Sequence, residues 1–399
     1  MKQGWTYKKL GEVCEIFGRI GFRGYTKADF VNSPEDGVIT LSPSNIVNGE
    51  MDYSKCSYIT WAKYEESPEI KIYPGDILLV KTASVGKTAI VRDLPHEATI
   101  NPQFVVLKNI RINRYYLSYY LKSEKAQQYI WSIAKGAAAQ TVSQKNLAEM
   151  IVPSAPLSEQ QRIVSRLDAA FAHIDELKAN AEKQLNEART LFQKALEEAM
   201  KPKEGWEENA FKKLCSFIRG PFGGSLKKEC FKESGYAVYE QQNAIYDRFS
   251  FRYYIDKEKY DSMSRFAVKA GDLIMSCSGT IGKVAIIPEN AQEGIINQAL
   301  LKLTPTDKIN KYYLKYLMES KFFKELIAQN SDGAAIKNIA SVAILKEIKL
   351  IIPSKAEQQR IVSRLDSLSA NVKKLEEIMQ KTITECDALK QAMLRQVFE

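Results

Sequence analysis

Histidine is nearly absent from the chain, with only His96 and His173 among 399 residues. Triads and metal centres built on imidazole therefore have little to work with. The six cysteines (14, 56, 215, 230, 277 and 386) include no CxxC pair. That argues against a disulfide framework or a structural zinc site and fits a reducing compartment. No apolar run approaches the ~18 residues of a membrane span. The opening segment, MKQGWTYKKLGEV, lacks the apolar centre of a signal peptide. The expectation is a cytoplasmic protein with no membrane partner. At 45% apolar and 26% charged residues the composition is that of a folded globular chain. The net charge of +9 hints at a polyanionic partner but is weak evidence as a total.

What the chain does have is a repeat. The decamer EQQRIVSRLD stands at 159–168 and again, unchanged, at 357–366. Other islands follow at nearly the same offset. Gly4-Trp5 answers Gly205-Trp206, and Tyr73-Pro-Gly-Asp-Ile-Leu-Leu answers Lys269-Ala-Gly-Asp-Leu-Ile-Met. Val85-Gly-Lys-Thr-Ala-Ile-Val answers Ile281-Gly-Lys-Val-Ala-Ile-Ile, and Ile100-Asn101 answers Ile296-Asn297. Tyr115-Tyr-Leu-Ser-Tyr-Tyr-Leu answers Tyr312-Tyr-Leu-Lys-Tyr-Leu-Met, and Gly136-Ala-Ala answers Gly333-Ala-Ala. Between the islands the halves differ widely, so a shared scaffold carries diverged surfaces.

Each half divides again. Residues 1–155 and 201–354 read as mixed α/β domains, with short β-branched and aromatic runs bounded by turn residues. Strands are expected at 76–82, 88–93 and 272–278, and at the closing runs 150–153 and 350–353. Helices are expected over 113–134 and 310–329 from Tyr and Leu at three-to-four spacing. Residues 156–200 and 355–399 then switch to helical periodicity. The first copy places Leu167, Phe171, Ile174, Ala181, Leu185, Ala188, Phe192, Ala195 and Ala199 on one seam, broken at Lys178. The second places Leu365, Leu368, Val372, Leu375, Met379, Ile383, Cys386, Leu389, Met393 and Val397. Ser158 with Gln161 suggests a capping box at the start of the first helix, and Pro202 with Gly205 ends it. About 42 residues at ~1.5 Å each make a helix ~60 Å long. One apolar stripe per helix favours pairing. Because domain termini tend to lie close together, the pair is expected to be antiparallel. The fold class expected is α+β: two mixed domains separated by long antiparallel coiled-coil helices, with internal pseudo-two-fold symmetry.

Charge follows this division. Residues 1–155 carry +4, 156–200 carry −2, 201–354 carry +6 and 355–399 carry +1. Basic surface on two domains is what a bipartite DNA reader needs, with phosphates for affinity and base edges for specificity. Two ordinary solvated basic domains would carry the same charge.

Candidate binding residues differ between the halves. Loop 17–24, FGRIGFRG, sets Arg19 and Arg23 among Phe and Gly, and its counterpart 217–228 holds Arg219, Lys227 and Lys228. Arginine grips phosphate or reads guanine with two bonds; a mobile surface loop is the plain alternative. Ser42, Ser44 and Asn45 are answered by Gln241, Gln242 and Asn243. Amides read adenine, but the same residues also serve turn chemistry. Lys81, Thr82, Ser84 and Lys87 are answered by Ser276, Ser278, Thr280 and Lys283 around a Gly-Lys hairpin, and Gln140 and Lys337 complete the set. Within the repeated decamer, Gln160, Gln161, Arg162 and Arg166, with Gln358, Gln359, Arg360 and Arg364, read as two equivalent exposed surfaces for a partner.

Catalytic motifs do not close. Gly86-Lys87-Thr88 lacks the leading glycine of a phosphate loop, since position 81 is Lys. Asn101-Pro-Gln-Phe resembles the tetrapeptide of amino-methyltransferases, but its counterpart Asn297-Gln-Ala-Leu lacks the proline and no Gly-rich cofactor loop is present. Glu69-Ile-Lys71 matches a nuclease fragment that is common by chance and has no repeat.

Over its whole length the chain resembles the specificity (S) subunit of type I restriction–modification systems. The resemblance rests on the proline–spacer–EQQRIV helix openings at 153–164 and 353–362, the domain-opening Gly-Trp, and the Gly-Asp…Gly-Lys hairpins. It implies target-recognition domains at 1–155 and 201–354 and conserved spacer helices at 156–200 and 355–399. It also implies a non-catalytic subunit that reads a split sequence in double-stranded DNA. Such a subunit docks two methyltransferase (M) subunits and then restriction/translocase (R) subunits. This chain would bind no cofactor itself; S-adenosylmethionine, ATP and Mg would belong to the partners. A stand-alone DNA-binding regulator of the same shape is the alternative. A self-sufficient nuclease or methyltransferase is a third.

Overall fold

A computed structural model describes residues 4–19, 24–137, 139–222, 224–278, 280–329 and 342–399. The chain forms two compact units. The first comprises residues 1–182 with 381–399, and the second comprises 183–380.

In the first unit the central layer is a four-stranded antiparallel sheet. Its order is Thr88–Ile90, Ile77–Val80, Phe104–Lys108 and Glu15–Phe17. Successive side chains of a strand face opposite sides, and here both sides are buried. Ile77, Leu79, Val105 and Leu107 join a core made with helices. Leu78, Val80, Phe104 and Val106 join another, made with a five-stranded sheet. That is why ILLV is apolar without alternation. The five-stranded sheet contains one parallel pair, Gly37–Leu41 with Ala98–Ile100. Thr6–Lys9 pairs antiparallel with Ile151–Ser154, tying the start of the unit to the strand before the first long helix.

The second unit repeats the plan. Cys215–Arg219, Leu300–Pro305, Leu273–Ser276 and Val284–Ile286 form its four-stranded sheet in the equivalent order. Glu207–Ala210 pairs with Lys349–Ile352. The parallel pair recurs as Tyr236–Tyr239 with Gly294–Ile296.

Two expected helices are each broken once. The stretch 113–134 forms Arg114–Lys122 and Glu124–Ser132, and 310–329 forms Lys311–Glu319 and Lys321–Gln329. The breaks fall at Ser123 and Ser320, both fully buried. Each hydroxyl donates back to a carbonyl of the preceding helix (Tyr120 and Leu317) and accepts from an amide of the next, at Ala126 and Phe323. Serine thereby competes with the backbone ladder and caps the new helix.

The long helices are Leu157–Met200 and Lys355–Phe398, each of 44 residues. The first starts one residue before the expected cap: Gln160 N–H donates to Pro156 O, so Ser158 lies inside the first turn and caps nothing. The repeat equivalent of Pro156 is Ser354, and its hydroxyl accepts from Glu357 N–H at 3.4 Å.

Within each unit the two helices run antiparallel. In the first, Lys178 pairs with Asp387 at 2.7 Å and Lys390 with Asp175 at 2.5 Å. In the second, Arg189 pairs with Glu376 at 2.7 Å. The end of one helix completes each core. Leu394 and Phe398 close the first unit, where Phe398 sits edge-on to Tyr116 and Tyr120 at 5.2 and 5.4 Å between ring centroids. Leu196 and Met200 close the second.

Gln160 and Gln358 belong to this framework. They are 3% and 0% exposed. The Gln160 carbonyl accepts from Asn113 N–H at 2.8 Å, and its amide donates to Ala155 O at 2.7 Å. Gln358 does the same with Asn310 and Pro353, at 2.7 and 2.9 Å. Asn113 and Asn310 in turn cap the helices that follow them. The two glutamines thus lock the start of each long helix to its domain and are not exposed partner contacts.

Phe398→Ala is expected to cost about 3–5 kcal/mol, the price of emptying a packed aromatic site; denaturant unfolding measures it. Gln160→Ala should cost about 1–3 kcal/mol because two backbone groups lose their partner. Gln161→Ala, on the exposed face beside it, should stay within about 0.5 kcal/mol by the same measurement.

Candidate nucleic-acid interface

The Gly-Lys segments are hairpin turns. Gly86, at φ +89°, closes the turn by donating to Val80 O at 3.0 Å, and Gly282, at φ +78°, donates to Ser276 O at 2.9 Å. Strands flank both turns, Ile77–Val80 with Thr88–Ile90 and Leu273–Ser276 with Val284–Ile286. A phosphate loop needs a strand followed by a helix.

In the first unit the hairpin gathers candidates from distant segments. The exposed Lys87 stem turns inward, and its ammonium donates to Pro43 O and Ile46 O at 3.2 and 2.9 Å. This docks the turn holding Ser42, Ser44 and Asn45 against the hairpin. Lys81 O accepts from Val142 N–H at 2.8 Å, and Ala83 N–H donates to Gln140 O at 3.0 Å. The Thr82 hydroxyl meets that of Thr141 at 2.8 Å. Lys81, Thr82, Ser84 and Gln140 therefore share one neighbourhood, with Ser84 and Gln140 exposed and Lys81 and Thr82 half-buried. Partial burial lowers the Lys81 pKa. Ala83 holds φ +67° at the hairpin tip, a left-handed conformation costly for a residue with a Cβ.

Several candidates are committed to the frame. Arg19 is 4% exposed and donates to Ile100 O and the Thr99 hydroxyl, both at 3.2 Å. Burial lowers its pKa. Asn45, 3% exposed, accepts from Ser42 N–H at 2.9 Å and donates to Asp52 O and Lys55 O at 3.0 Å. Asn243, fully buried, accepts from Glu240 N–H and donates to Arg248 O and Ser250 O. Turn chemistry thus accounts for both asparagines. Ser276 is also fully buried, with its hydroxyl shared among Thr280 O, Lys283 O and Lys283 N–H. These four side chains hold loops in place and have no free edge for a base. Ser42 and Ser44 share a hydroxyl contact at 2.7 Å, with Ser44 exposed. Arg23 and Lys337 lie outside the described residues.

The second unit builds its neighbourhood from different groups. The Gln241 amide reaches the Ser278 hydroxyl at 2.5 Å. Exposed Arg219 lies beside buried Cys277 and opposes the upward push that burial gives its thiol, held at about 11. Thr280 and Lys283 are exposed, as are Lys227 and Lys228. The Gln242 amide faces Glu240 at 3.4 Å, whose carboxylate is gripped by Arg252 at 2.9 and 3.1 Å. Phe222, 93% exposed in the glycine-rich loop after Arg219, went unmarked by charge counting. Its signal was there in sequence: a large aromatic between Pro and Gly, where no strand or helix could bury it.

Asn101 is a turn former. Its carbonyl accepts from Gln103 N–H at 2.9 Å, as that of Asn297 does from Ala299 N–H at 3.0 Å. Among the described residues no group of three or more His, Cys, Asp and Glu could hold a metal. No described helix is long and apolar enough to cross a membrane.

At the helix starts, Gln161, Arg162, Arg166, Gln359, Arg360 and Arg364 are exposed. Arg162 pairs with Glu159 at 2.7 Å, and Arg360 pairs with Glu357. Gln359 accepts from Asn310 Nδ2 at 2.8 Å. Arg162 and Arg166 line a shallow cleft with Trp5 and Gln396.

The sequence profile of the type I restriction modification DNA specificity domain matches the chain twice, over residues 2–187 and 203–385. The chain is 26% identical over 392 residues to a putative type I restriction enzyme MjaX specificity subunit of Methanocaldococcus jannaschii, covering 92% of this chain and 87% of that one. It is 22% identical to the EcoKI specificity subunit of Escherichia coli K12, covering 100% and 89%. Its fold is similar to that of a chain in a structure of type I R-M system assembly and conformational transition, with TM-score 0.77, 20% identity and coverage of 100% and 98%. The HsdS subunit of Thermoanaerobacter tengcongensis follows, with TM-score 0.56, 19% identity and coverage of 100% and 97%. Two domain matches in tandem, on two units that repeat one sheet order and one hairpin, place this chain in the family of type I restriction–modification specificity subunits, which recognise DNA and leave catalysis to other subunits.

Proposed function

We propose that the chain reads a bipartite target in double-stranded DNA, one half-site per unit, and carries two methyltransferase subunits and then restriction/translocase subunits. The observation that carries this reading is the pair of hairpin neighbourhoods. One frame presents Lys81, Thr82, Ser84 and Gln140 in the first unit and Arg219, Gln241, Ser278 and Thr280 in the second. Different donors and acceptors on one scaffold select different base edges. Basic excess on both domain segments supplies the phosphate attraction common to both. S-adenosylmethionine, ATP and Mg belong to the partner subunits in this reading. The paired helices set the spacing between half-sites. The repeated exposed arginines at the helix starts give two equivalent docking surfaces.

Exchanging residues 1–155 for those of a relative should change one half of the methylated sequence and leave the other half intact, as read by sequencing methylated genomic DNA. Removing two turns from both long helices should shorten the spacer by about three base pairs, from ~1.5 Å per residue and ~3.4 Å per base pair. An unchanged spacer would sink the ruler. Arg166→Glu with Arg364→Glu should reduce co-purification of methyltransferase subunits without lowering the melting temperature; undiminished recovery would move the docking surface elsewhere.

A further inference from the structure

The long helices correspond residue for residue at an offset of 198, from Leu157–Met200 to Lys355–Phe398. By that correspondence position 376 repeats 178, and position 189 repeats 387. The crossing at Lys178–Asp387 in the first unit therefore has its repeat image at Glu376–Arg189 in the second. The geometry is the same but the charges are exchanged. The first helix carries two cations, Lys178 and Arg189, at the places where the second carries two anions, Glu376 and Asp387.

We infer that these crossings encode which helix pairs with which, so that the first long helix accepts the second and rejects a copy of itself. In an antiparallel pair of first helices from two chains, the same register would set Lys178 against Arg189 at two symmetric places. In a pair of second helices it would set Glu376 against Asp387, again twice. A third crossing acts in the same sense. Lys390 pairs with Asp175 in the native arrangement. The repeat equivalent of Asp175 is Lys373, so two second helices would set Lys373 against Lys390. The apolar seams differ in volume, with Ala181, Ala188 and Ala195 repeated as Met379, Cys386 and Met393, and the charged crossings add a choice of sign to that difference. Each half-exposed ion pair is weak alone, but self-pairing replaces attraction by repulsion at the first two crossings in either like pair and at the third in a pair of second helices, so the difference accumulates.

The consequence is a constraint on assembly. Two chains brought together, or one chain meeting another during folding, are steered away from matching like repeats. A mismatched pair would hold two identical recognition domains in place of two different ones. The inference concerns helix pairing alone and stands whichever bases the units read.

The full-length chain tests it with substitutions that leave net charge unchanged. Arg189→Glu with Asp387→Lys puts like charges at both native crossings and opposite charges at the self-paired ones. Adding Lys178→Glu and Glu376→Lys restores attraction at the native crossings with polarity reversed. At low salt the double variant should melt roughly 2–4 °C below the wild type and show more self-associated species by sedimentation velocity. The quadruple variant should return to wild-type values for both. The gap between the variants should close in 1 M salt, where the Debye length falls to about 3 Å. A double variant that fails to fold while the quadruple variant folds would support the code equally. A double variant indistinguishable from wild type at low salt, or a quadruple variant that does not recover, would overturn it.

Discussion

Each unit depends on the C-terminal end of a long helix, the second helix for the first unit and the first helix for the second. The first unit cannot close its core without Leu394 and Phe398, which fill the space beside Tyr116, Tyr120 and Leu167. The second cannot close without Leu196 and Met200 beside Phe211 and Leu365. Antiparallel pairing of the long helices is therefore a condition of domain folding as well as a connection. It also explains the buried glutamines. A helix that must deliver its far end to a core needs a fixed starting point, and Gln160 and Gln358 fix it through paired hydrogen bonds to Asn113 and Asn310.

The same economy governs the candidate recognition surface. The central sheet of the first unit is apolar on both faces, so the middle of its strands offers no polar edge to a ligand. The candidate residues sit at the strand ends and in the turns beyond them. There the buried members of each candidate set, Arg19, Asn45, Asn243 and Ser276, hold the loops. The exposed members, among them Ser84, Gln140, Arg219 and Thr280, remain free to differ. Loops on a rigid scaffold suit a protein that must change specificity without changing fold.

Much of the fold could be read from residues alone. The repeated decamer, the apolar sheet strands and the switch to helical spacing each have a local cause, and each located its element to within three residues, the widest miss being 88–93 against Thr88–Ile90. Ser123 and Ser320 could not be read in the same way. A serine inside a helical pattern breaks the helix only when its hydroxyl is buried and must bond locally, and burial is a property of the packed unit. The same holds for Gln160 against Gln161. They are neighbours of one type, and the phase of the helix against its domain buries one and exposes the other.

The chain's sequence determined by itself that there are two copies of one plan, that each couples a mixed domain to a long helix, and that positive charge sits on the domains. Those features are periodic or compositional, so they survive without coordinates. Only the tertiary structure decided which polar residues are structural and which are presented, because that depends on burial and on partners that lie within one turn for Asn45, Asn243 and Ser276 but far along the chain for Arg19 and Gln160. It also brought Lys178 to Asp387 and Arg189 to Glu376. Lys178 looks in sequence like a flaw in an apolar seam. Its role appears only when the antiparallel register supplies the opposite charge.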